Sequence, residues 1–147
     1  MPEKEVLERA QKDKREGKAA STQAGEFVRE EIEHIREGKH GARSAKQAIA
    51  IGLSKARRAG VKLPPPEKGS ASKETREQAA RDLRKAKSPK KKKSAKRSRA
   101  MSRVLKREGS SAASRKALSR QARSAAAKRS AASRSRSAKK AALTRKK

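Results

Sequence analysis

The uneven distribution of charge constrains this chain more than any other feature of its sequence. The 147 residues contain 45 Lys and Arg against 15 Asp and Glu, which gives a formal net charge of +30. Residues 83–147 contain 26 of these basic residues and one acidic residue, whereas residues 1–66 contain 15 basic and 10 acidic residues. A segment with so little negative charge repels itself, so we expect it to be held against a polyanion, of which DNA and RNA are the abundant cellular examples.

Composition also indicates how much of the chain is ordered and where it works. Low hydrophobicity with high net charge is typical of chains that cannot offset their ordering entropy by burial. We therefore expect residues 88–147 to form a long basic tail, largely disordered or conditionally helical when phosphates neutralise it. Residues 64–71 are expected to be a Pro/Gly/Ser linker and residues 72–87 a charged helix. No secretory signal or membrane-length apolar run is visible, which predicts a cytoplasmic protein with no membrane partner.

Helical periodicity of the apolar residues predicts an all-α N-terminal part. We expect an exposed helix in residues 1–20 and a helical hairpin in residues 21–63. Gly38 is expected to end the first helix of the hairpin, and Gly60 to end the second, with Val61 folding back on it. The expected helices lie near residues 3–18, 21–37 and 44–59.

The hairpin is too small to be expected to fold alone. Burial of its few large apolar side chains does not offset the entropy of ordering the backbone. We therefore predict that residues 21–63 form a homodimer or bind a partner. Ala48, Gly52 and Ala56 recur every four residues on the second helix, which would let another helix approach closely.

The basic tail is the strongest candidate for a binding site. Each cation that pairs with a phosphate releases a condensed counterion, so binding is expected to recognise phosphate, not sequence, and to weaken with salt. On the polar side of the third helix, Arg43, Lys46 and Arg57 are expected as secondary DNA contacts. The predicted DNA-binding residues of the tail are Lys90, Lys91, Lys92, Lys93, Lys96, Arg97, Arg99, Arg103, Lys106, Arg107, Arg115, Lys116, Arg120 and Arg123.

No residue pattern indicates an enzyme. His34 lies near acidic residues of the second helix, but Cys is absent and the spacing is not diagnostic, so we interpret it as a helix-surface histidine. Nothing in the sequence orients a nucleophile, and Gly38-Lys39-His40-Gly41 lacks the flanks of a phosphate-binding loop. We therefore predict no catalytic residue, no cofactor and no metal.

The scarcity of aromatic residues favours duplex DNA over single strands. Phe27 is the single aromatic residue and lies on the predicted apolar stripe, so unpaired bases find no ring on which to stack. Because Arg can also stack on bases, an RNA- or ribosome-associated protein remains one alternative. The other alternative is a protein-interaction or self-association module for which the tail is a weak anchor.

The tail resembles the tails of chromatin proteins. Ser88-Pro89-Lys90-Lys91 resembles the SPKK element of linker-histone and sperm-histone tails, which contacts the minor groove of DNA. The Lys, Ala and Ser bias of residues 86–147 is similar to that of linker-histone C-terminal tails, although this tail is also rich in Arg. The resemblance implies an electrostatic, histone-like mode of DNA binding.

A longer stretch resembles a bacterial family. Residues 21–66 read STQAGEFVREEIEHIREGKHGARSAKQAIAIGLSKARRAGVKLPPP, which looks like a family of short, basic bacterial proteins of unknown function. Phrases of the tail, from RVLKREGSS onwards, look similar to the same proteins. Such proteins are often named "DNA-binding protein" or "plasmid stabilisation protein". The resemblance implies a bacterial, nucleoid-associated protein and brings no residue roles with it.

Overall fold

The chain is helical in both its N-terminal and its C-terminal half. A computed structural model describes residues 2–88 and 92–146, and with 72% helix it confirms the all-α class. Within these residues there are seven α-helices and one short 3-10 helix. The helices are α1 (Lys4–Arg15), α2 (Ala20–Arg36), α3 (Ala45–Arg58), α4 (Lys73–Lys87), α5 (Ala95–Arg107), α6 (Arg115–Ala127) and α7 (Ala131–Arg145), and the 3-10 helix is Ser111–Ala113.

Helices α2 and α3 pair closely because α3 presents small residues to α2. Ala48, Gly52 and Ala56 are all buried on one side of α3. A Cβ placed on Gly52 would lie 2.6 Å from the Cα of Val28 in α2, which is closer than two carbon atoms can pack. The close approach predicted from the four-residue repeat is therefore confirmed.

Local signals in the sequence determine both ends of α3. The Ser44 hydroxyl accepts a hydrogen bond from the backbone N–H of Gln47 and so caps the first turn. After the helix, Gly60 has a φ of 101°, and the Val61 N–H donates to the Ala56 carbonyl at 3.1 Å. This turn buries the Val61 side chain, so the predicted cap and fold-back are confirmed.

Helix α1 covers part of the α2–α3 pair and completes a first core. The helix that was expected to be exposed contributes two buried apolar side chains, because its apolar positions recur on one side. Phe27, the largest side chain of this core, is 1% exposed. The buried members of the core are Val6, Ala10, Ala24, Phe27, Ala56 and Val61.

Helix α4 packs against α3 around one buried carboxylate. Asp82 is 1% exposed and accepts hydrogen bonds from Ser54 Oγ at 2.7 Å, Arg58 Nε at 2.9 Å and Gln78 Nε2 at 3.2 Å. Burial alone raises the pKa of Asp82, but the hydrogen bonds from Ser54 and Arg58 outweigh it, so this pKa lies below its ordinary value. With α1, this contact supplies burial that residues 21–63 lack alone, and the homodimer through these residues stays a prediction.

The prediction of a largely disordered or conditionally helical tail is wrong. Helices α5, α6 and α7 occupy most of residues 92–146. Each begins after a serine, at Ser94, Ser114 or Ser130, whose side chain accepts a backbone N–H three residues later. The helices are rich in Ala, Lys and Arg, which are strong helix formers. The prediction weighed the net charge of the whole tail and gave no weight to these local start signals.

The middle of the C-terminal half packs into a second core. We call residues 105–118 the docking segment. Its 3-10 helix, Ser111–Ala113, contacts α2, α3 and α6. Ala112 and Ala113 are 4% and 0% exposed and belong to the same buried cluster as Ile32 and Ile35 of α2. Small methyl side chains let the backbone of the docking segment come close to α2, which a tail of larger residues would not permit.

The loop between α2 and α3 holds the docking segment by its backbone. The Gly41 N–H donates to the Leu105 carbonyl at 2.8 Å, and the Ala42 N–H donates to the Gly109 carbonyl at 3.2 Å. Gly41 is buried, and a Cβ at this position would overlap the Glu108 carbonyl. The C-terminal helices are therefore attached to the N-terminal half at a site that requires glycine.

Candidate nucleic-acid interface

The basic residues of the described C-terminal part are all exposed. Residues 92–146 contain 20 Lys and Arg and one acidic residue, Glu108. In the part of the chain that the structure describes, none of these 20 residues forms an ion pair, and the ion pairs present join residues between 3 and 82. Their charges are therefore available to an external anion.

Helix α5 separates basic from apolar residues. At 3.6 residues per turn, five basic side chains share one side of the helix. Met101 and Val104 lie on the other side and are 59% and 51% exposed, and Arg97, although predicted as a contact, falls with them. The five residues, which we call the α5 basic stripe, extend over about 16 Å, enough to face several phosphates of a strand. The α5 basic stripe consists of Lys96, Arg99, Arg103, Lys106 and Arg107.

Helix α6 directs its basic residues away from the core. Leu118 packs against the second core and so determines which side of α6 faces the protein. Lys116, Arg120 and Arg123 lie on the opposite side of the helix and are exposed, while Arg115, also exposed, projects to one side. The docking segment thus orients α6 with three of the predicted contacts towards solvent.

Further basic residues of the C-terminal part were not selected from the sequence. No residue of α7 is buried, and its basic side chains are as exposed as those of α5. The composition that indicated the other contacts applies equally here. Of the four consecutive predicted lysines, Lys92 and Lys93 are exposed, whereas Lys90 and Lys91 lie outside the described residues. The additional exposed residues are Lys128, Arg129, Arg134, Arg136, Lys139, Lys140, Arg145 and Lys146.

The three predicted secondary contacts do not share one surface. Arg43 and Lys46 are exposed, but Arg57 is 6% exposed. Arg57 Nε donates to the Leu63 carbonyl at 3.2 Å and its Nη2 donates to the Pro64 carbonyl at 3.3 Å. Burial lowers the pKa of Arg57 from its ordinary value. Arg57 thus holds the proline segment, residues 64–66, against α3, because the chain after α3 folds over the side of the helix from which Arg57 projects.

No helix within residues 2–88 and 92–146 is both long enough and apolar enough to cross a membrane.

Comparison with known proteins bears on the N-terminal half alone. A family of unknown function (DUF6496) matches residues 7–68, which include α2, α3 and most of α1. The match ends before α4 and the basic helices. No curated protein and no solved structure matches the chain. The family match therefore assigns no role to α5, α6 or α7.

Proposed function

We propose that this protein binds duplex DNA without sequence specificity, through phosphate contacts of the basic residues of α5, α6 and α7. The observation that carries the proposal is the set of 20 exposed basic side chains in residues 92–146 that form no ion pair with the described residues. In the N-terminal half, by contrast, Arg9 pairs with Glu26 at 2.7 Å and Lys55 with Glu31 at 2.6 Å. Unpaired cations release counterions when they meet phosphates, so the C-terminal helices form the surface that a polyanion would occupy.

The form of the nucleic acid follows from the aromatic content and from burial. Proteins that bind single strands stack the bases on exposed aromatic rings. Phe27 is the single aromatic residue of the chain and is 1% exposed in the first core, so it offers no stacking surface. This supports a paired duplex, whose bases are already stacked on each other, as the partner.

The lack of sequence preference follows from how the helices are held. Base readout depends on a recognition helix that packing holds at a fixed depth in the groove. Helices α5 and α7 bury no residue, and long Lys and Arg side chains reach phosphates from many helix positions. The arrangement supports backbone contacts on any sequence.

The salt dependence of binding tests the proposal. Fluorescence anisotropy with a labelled duplex of arbitrary sequence is measured over a series of NaCl concentrations. If about ten phosphates are engaged, the log–log slope of affinity against salt is roughly −9. Replacing all five residues of the α5 basic stripe by Gln keeps helix propensity and removes about 4.5 from the magnitude of that slope if each residue contacts a phosphate.

A charge-matched variant provides the control. Five exposed basic residues of the first 68, none of which forms an ion pair among the described residues, are replaced by Gln. This variant has the same net charge as the α5 variant, and its slope should change by less than about 1. An equal decrease of the salt slope in both variants would mean that net charge, not the C-terminal surface, determines binding, and would contradict the proposal. The control residues are Lys4, Lys14, Arg15, Lys62 and Lys68.

Competition decides between the two nucleic acids. Unlabelled duplex DNA and a structured RNA of equal length compete for the wild-type protein at near-physiological salt, and we expect DNA to compete at least as well. If the RNA competed more strongly, RNA and not DNA would be the proposed partner. Point variants are preferable to truncation, because deleting the C-terminal half would remove Ala112 and Ala113 from the second core.

A further inference from the structure

Helix α2 and the loop that follows it bring two histidines to a buried glutamate. Glu31 and His34 are three residues apart and therefore share one side of α2. The chain turns at Gly38, which has a φ of 75°, and returns His40 to the same place. One potential ligand atom from each of Glu31, His34 and His40 lies within 4.8 Å of the other two.

Two buried carboxylates at this cluster share a single lysine. Glu30 and Glu31 are 2% and 1% exposed. Lys55 of α3 pairs with both, its Nζ lying 3.8 Å from Glu30 Oε2 and 2.6 Å from Glu31 Oε2. This contact leaves Glu31 Oε1, which faces His40, as a carboxylate oxygen that accepts no hydrogen bond from the described residues. Glu30 Oε1 accepts one from the Glu3 N–H at 2.7 Å. Two buried carboxylates thus share one ammonium, and an uncompensated buried charge is unfavourable.

The ring of His40 is oriented as a ligand. Its Nδ1 lies 3.0 Å from the Gly41 carbonyl oxygen, which can only accept, so Nδ1 carries a proton. Its Nε2 lies 3.1 Å from Glu31 Oε1. Without a proton on Nε2 this nitrogen presents a lone pair to a carboxylate, and the two repel unless either a proton or a metal ion lies between them. Metal-binding histidines usually donate their other ring N–H to a carbonyl or carboxylate in the same way.

We propose that Glu31, His34 and His40 bind a divalent transition-metal ion, with Zn²⁺ as its representative. Two imidazoles and one carboxylate suit Zn²⁺ and its neighbours, whereas Mg²⁺ and Ca²⁺ prefer oxygen ligands throughout. Tetrahedral Zn²⁺ needs ligand atoms about 3.3 Å apart. His40 Nε2 and Glu31 Oε1, 3.1 Å apart, already have this spacing, and the ligand atoms of the cluster lie within 4.8 Å of one another, so any closure is at most about 1.5 Å. The ring of His34, predicted to lie on the helix surface, is 15% exposed and that of His40 is 18% exposed, which leaves a path for the ion.

A neighbouring carboxylate holds the second histidine. His34 Nε2 lies 3.2 Å from Glu3 Oε1, and Glu3 also forms, with Glu30 and His34, a second set of potential ligand atoms within 4.8 Å of one another. Glu3 thus orients the ring of His34. Its charge is shared with Lys39, whose Nζ lies 3.5 Å from Glu3 Oε1, so the orientation of the ring is the feature that favours a bound cation.

The ion has a structural role in this position. His40 directly precedes Gly41 and Ala42, whose N–H groups bind the backbone of the docking segment. A metal that joins His40 to Glu31 fixes this loop on α2 and so stabilises the attachment of the C-terminal helices. This role is independent of whether those helices bind DNA.

Zinc titration of the full-length protein tests the site. The protein is freed of metal with a chelator, and thermal unfolding is followed by circular dichroism as ZnCl₂ is added. Free Zn²⁺ at 100 times the dissociation constant raises the folding equilibrium constant about 100-fold, which raises the melting temperature. Calorimetry should give one ion per chain, and MgCl₂ at the same concentration should leave the melting temperature unchanged.

Variants locate the ion. H40Q should weaken zinc binding by more than the roughly 10- to 100-fold lost when an outer hydrogen bond to a ligand is removed. E33Q is the control: it removes a carboxylate of α2 outside the cluster, where Glu33 pairs with Arg29 at 3.0 Å, and it should keep the full zinc response. An equal zinc response in H40Q and wild type, or none in wild type, would overturn the proposal.

A measurement on the wild type avoids any dependence on variant folding. His34 and His40 are the two histidines of the chain, so imidazole NMR resonances report on the cluster directly. One equivalent of Zn²⁺ should shift the ring resonances of both. Rings that keep their metal-free shifts would overturn the proposal even if H40Q failed to fold.

Discussion

Replacing Gly41 by Ala should release the docking segment from the N-terminal half. A Cβ on residue 41 would overlap the Glu108 carbonyl and lie 2.6 Å from the Gly109 carbonyl oxygen. The loop and the end of α5 must therefore separate by more than about 1 Å to restore ordinary contact distances. The hydrogen bond from residue 41 to Leu105, 2.8 Å long in the wild type, then exceeds hydrogen-bonding distance.

The size of the effect follows from what the separation removes. Two backbone hydrogen bonds, from Gly41 and from Ala42, contribute about 1 kcal/mol each. Uncovering the methyl groups of Ala112 and Ala113 costs about 0.8 kcal/mol each. Because the released segment regains conformational entropy, we expect a net loss of about 2–3 kcal/mol in the free energy of local opening. This corresponds to a roughly 30- to 150-fold larger open population.

Native-state hydrogen exchange measures this opening. The amide protons of Ala42 and Ala113 are buried at the contact and should exchange about 30- to 150-fold faster in G41A than in wild type. G109A is the matched control, since a Cβ on Gly109 meets nothing within 4 Å, and its exchange should stay within a few-fold of wild type. Unchanged protection of Ala42 and Ala113 in G41A would refute the attachment of the docking segment through this loop.

Two further predictions concern the contacts of α3. G52A should lower the free energy of unfolding measured in urea by about 1–3 kcal/mol, because overpacking against Val28 exceeds the gain in helix propensity. G25A, with open space around it, is the control and should raise that free energy by about 0.4–1 kcal/mol. Changes of the same sign in the two variants would contradict the close approach. D82N should cost about 2 kcal/mol at neutral pH, less than for a fully buried ion pair because Arg58 is 47% exposed. Because the pKa of Asp82 is lowered in the folded state, its contribution to stability is fully present above the ordinary pKa of 3.8 and is lost as pH falls through the folded-state pKa. If wild type remained more stable than D82N in strong acid, this account of Asp82 would be contradicted.

Much of the helical framework was predictable because its signals are local. Ser44 caps α3 through a residue three positions away, and Gly60 with Val61 ends it within the same turn. The small residues around Gly52 predicted a close helix contact, although they did not identify α2 as the neighbour. The same kind of signal, at Ser94 and Ser114, would have predicted the C-terminal helices had it been weighed against the net charge.

Burial was not predictable where it depends on distant segments. Ala112 and Ala113 resemble the other alanines of the basic half, and nothing near them in the sequence indicates that they meet Ile35, more than 70 residues away. Arg57 and Arg43 were assigned to one surface by helix geometry, but the proline segment covers only Arg57.

The candidate metal cluster shows the same limit. Glu31 and Glu33 are both glutamates of α2, yet one is 1% exposed beside two histidines and the other pairs with Arg29 at the surface. The sequence pattern that predicted no metal ligand could not separate them. Only the return of the loop after Gly38 brings His40 to Glu31.

The sequence by itself determined the charge of this protein, the start of α3 at Ser44 and its end at Gly60, and the presence of a single aromatic residue. These depend on residue identities and on contacts within one or two turns of helix. The tertiary structure alone decided which alanines form the second core, which arginine is covered, and which glutamate is buried beside the histidines. Burial and ion pairing are properties of segments that meet in space, and the free energy that brings them together is distributed over contacts far apart in the chain.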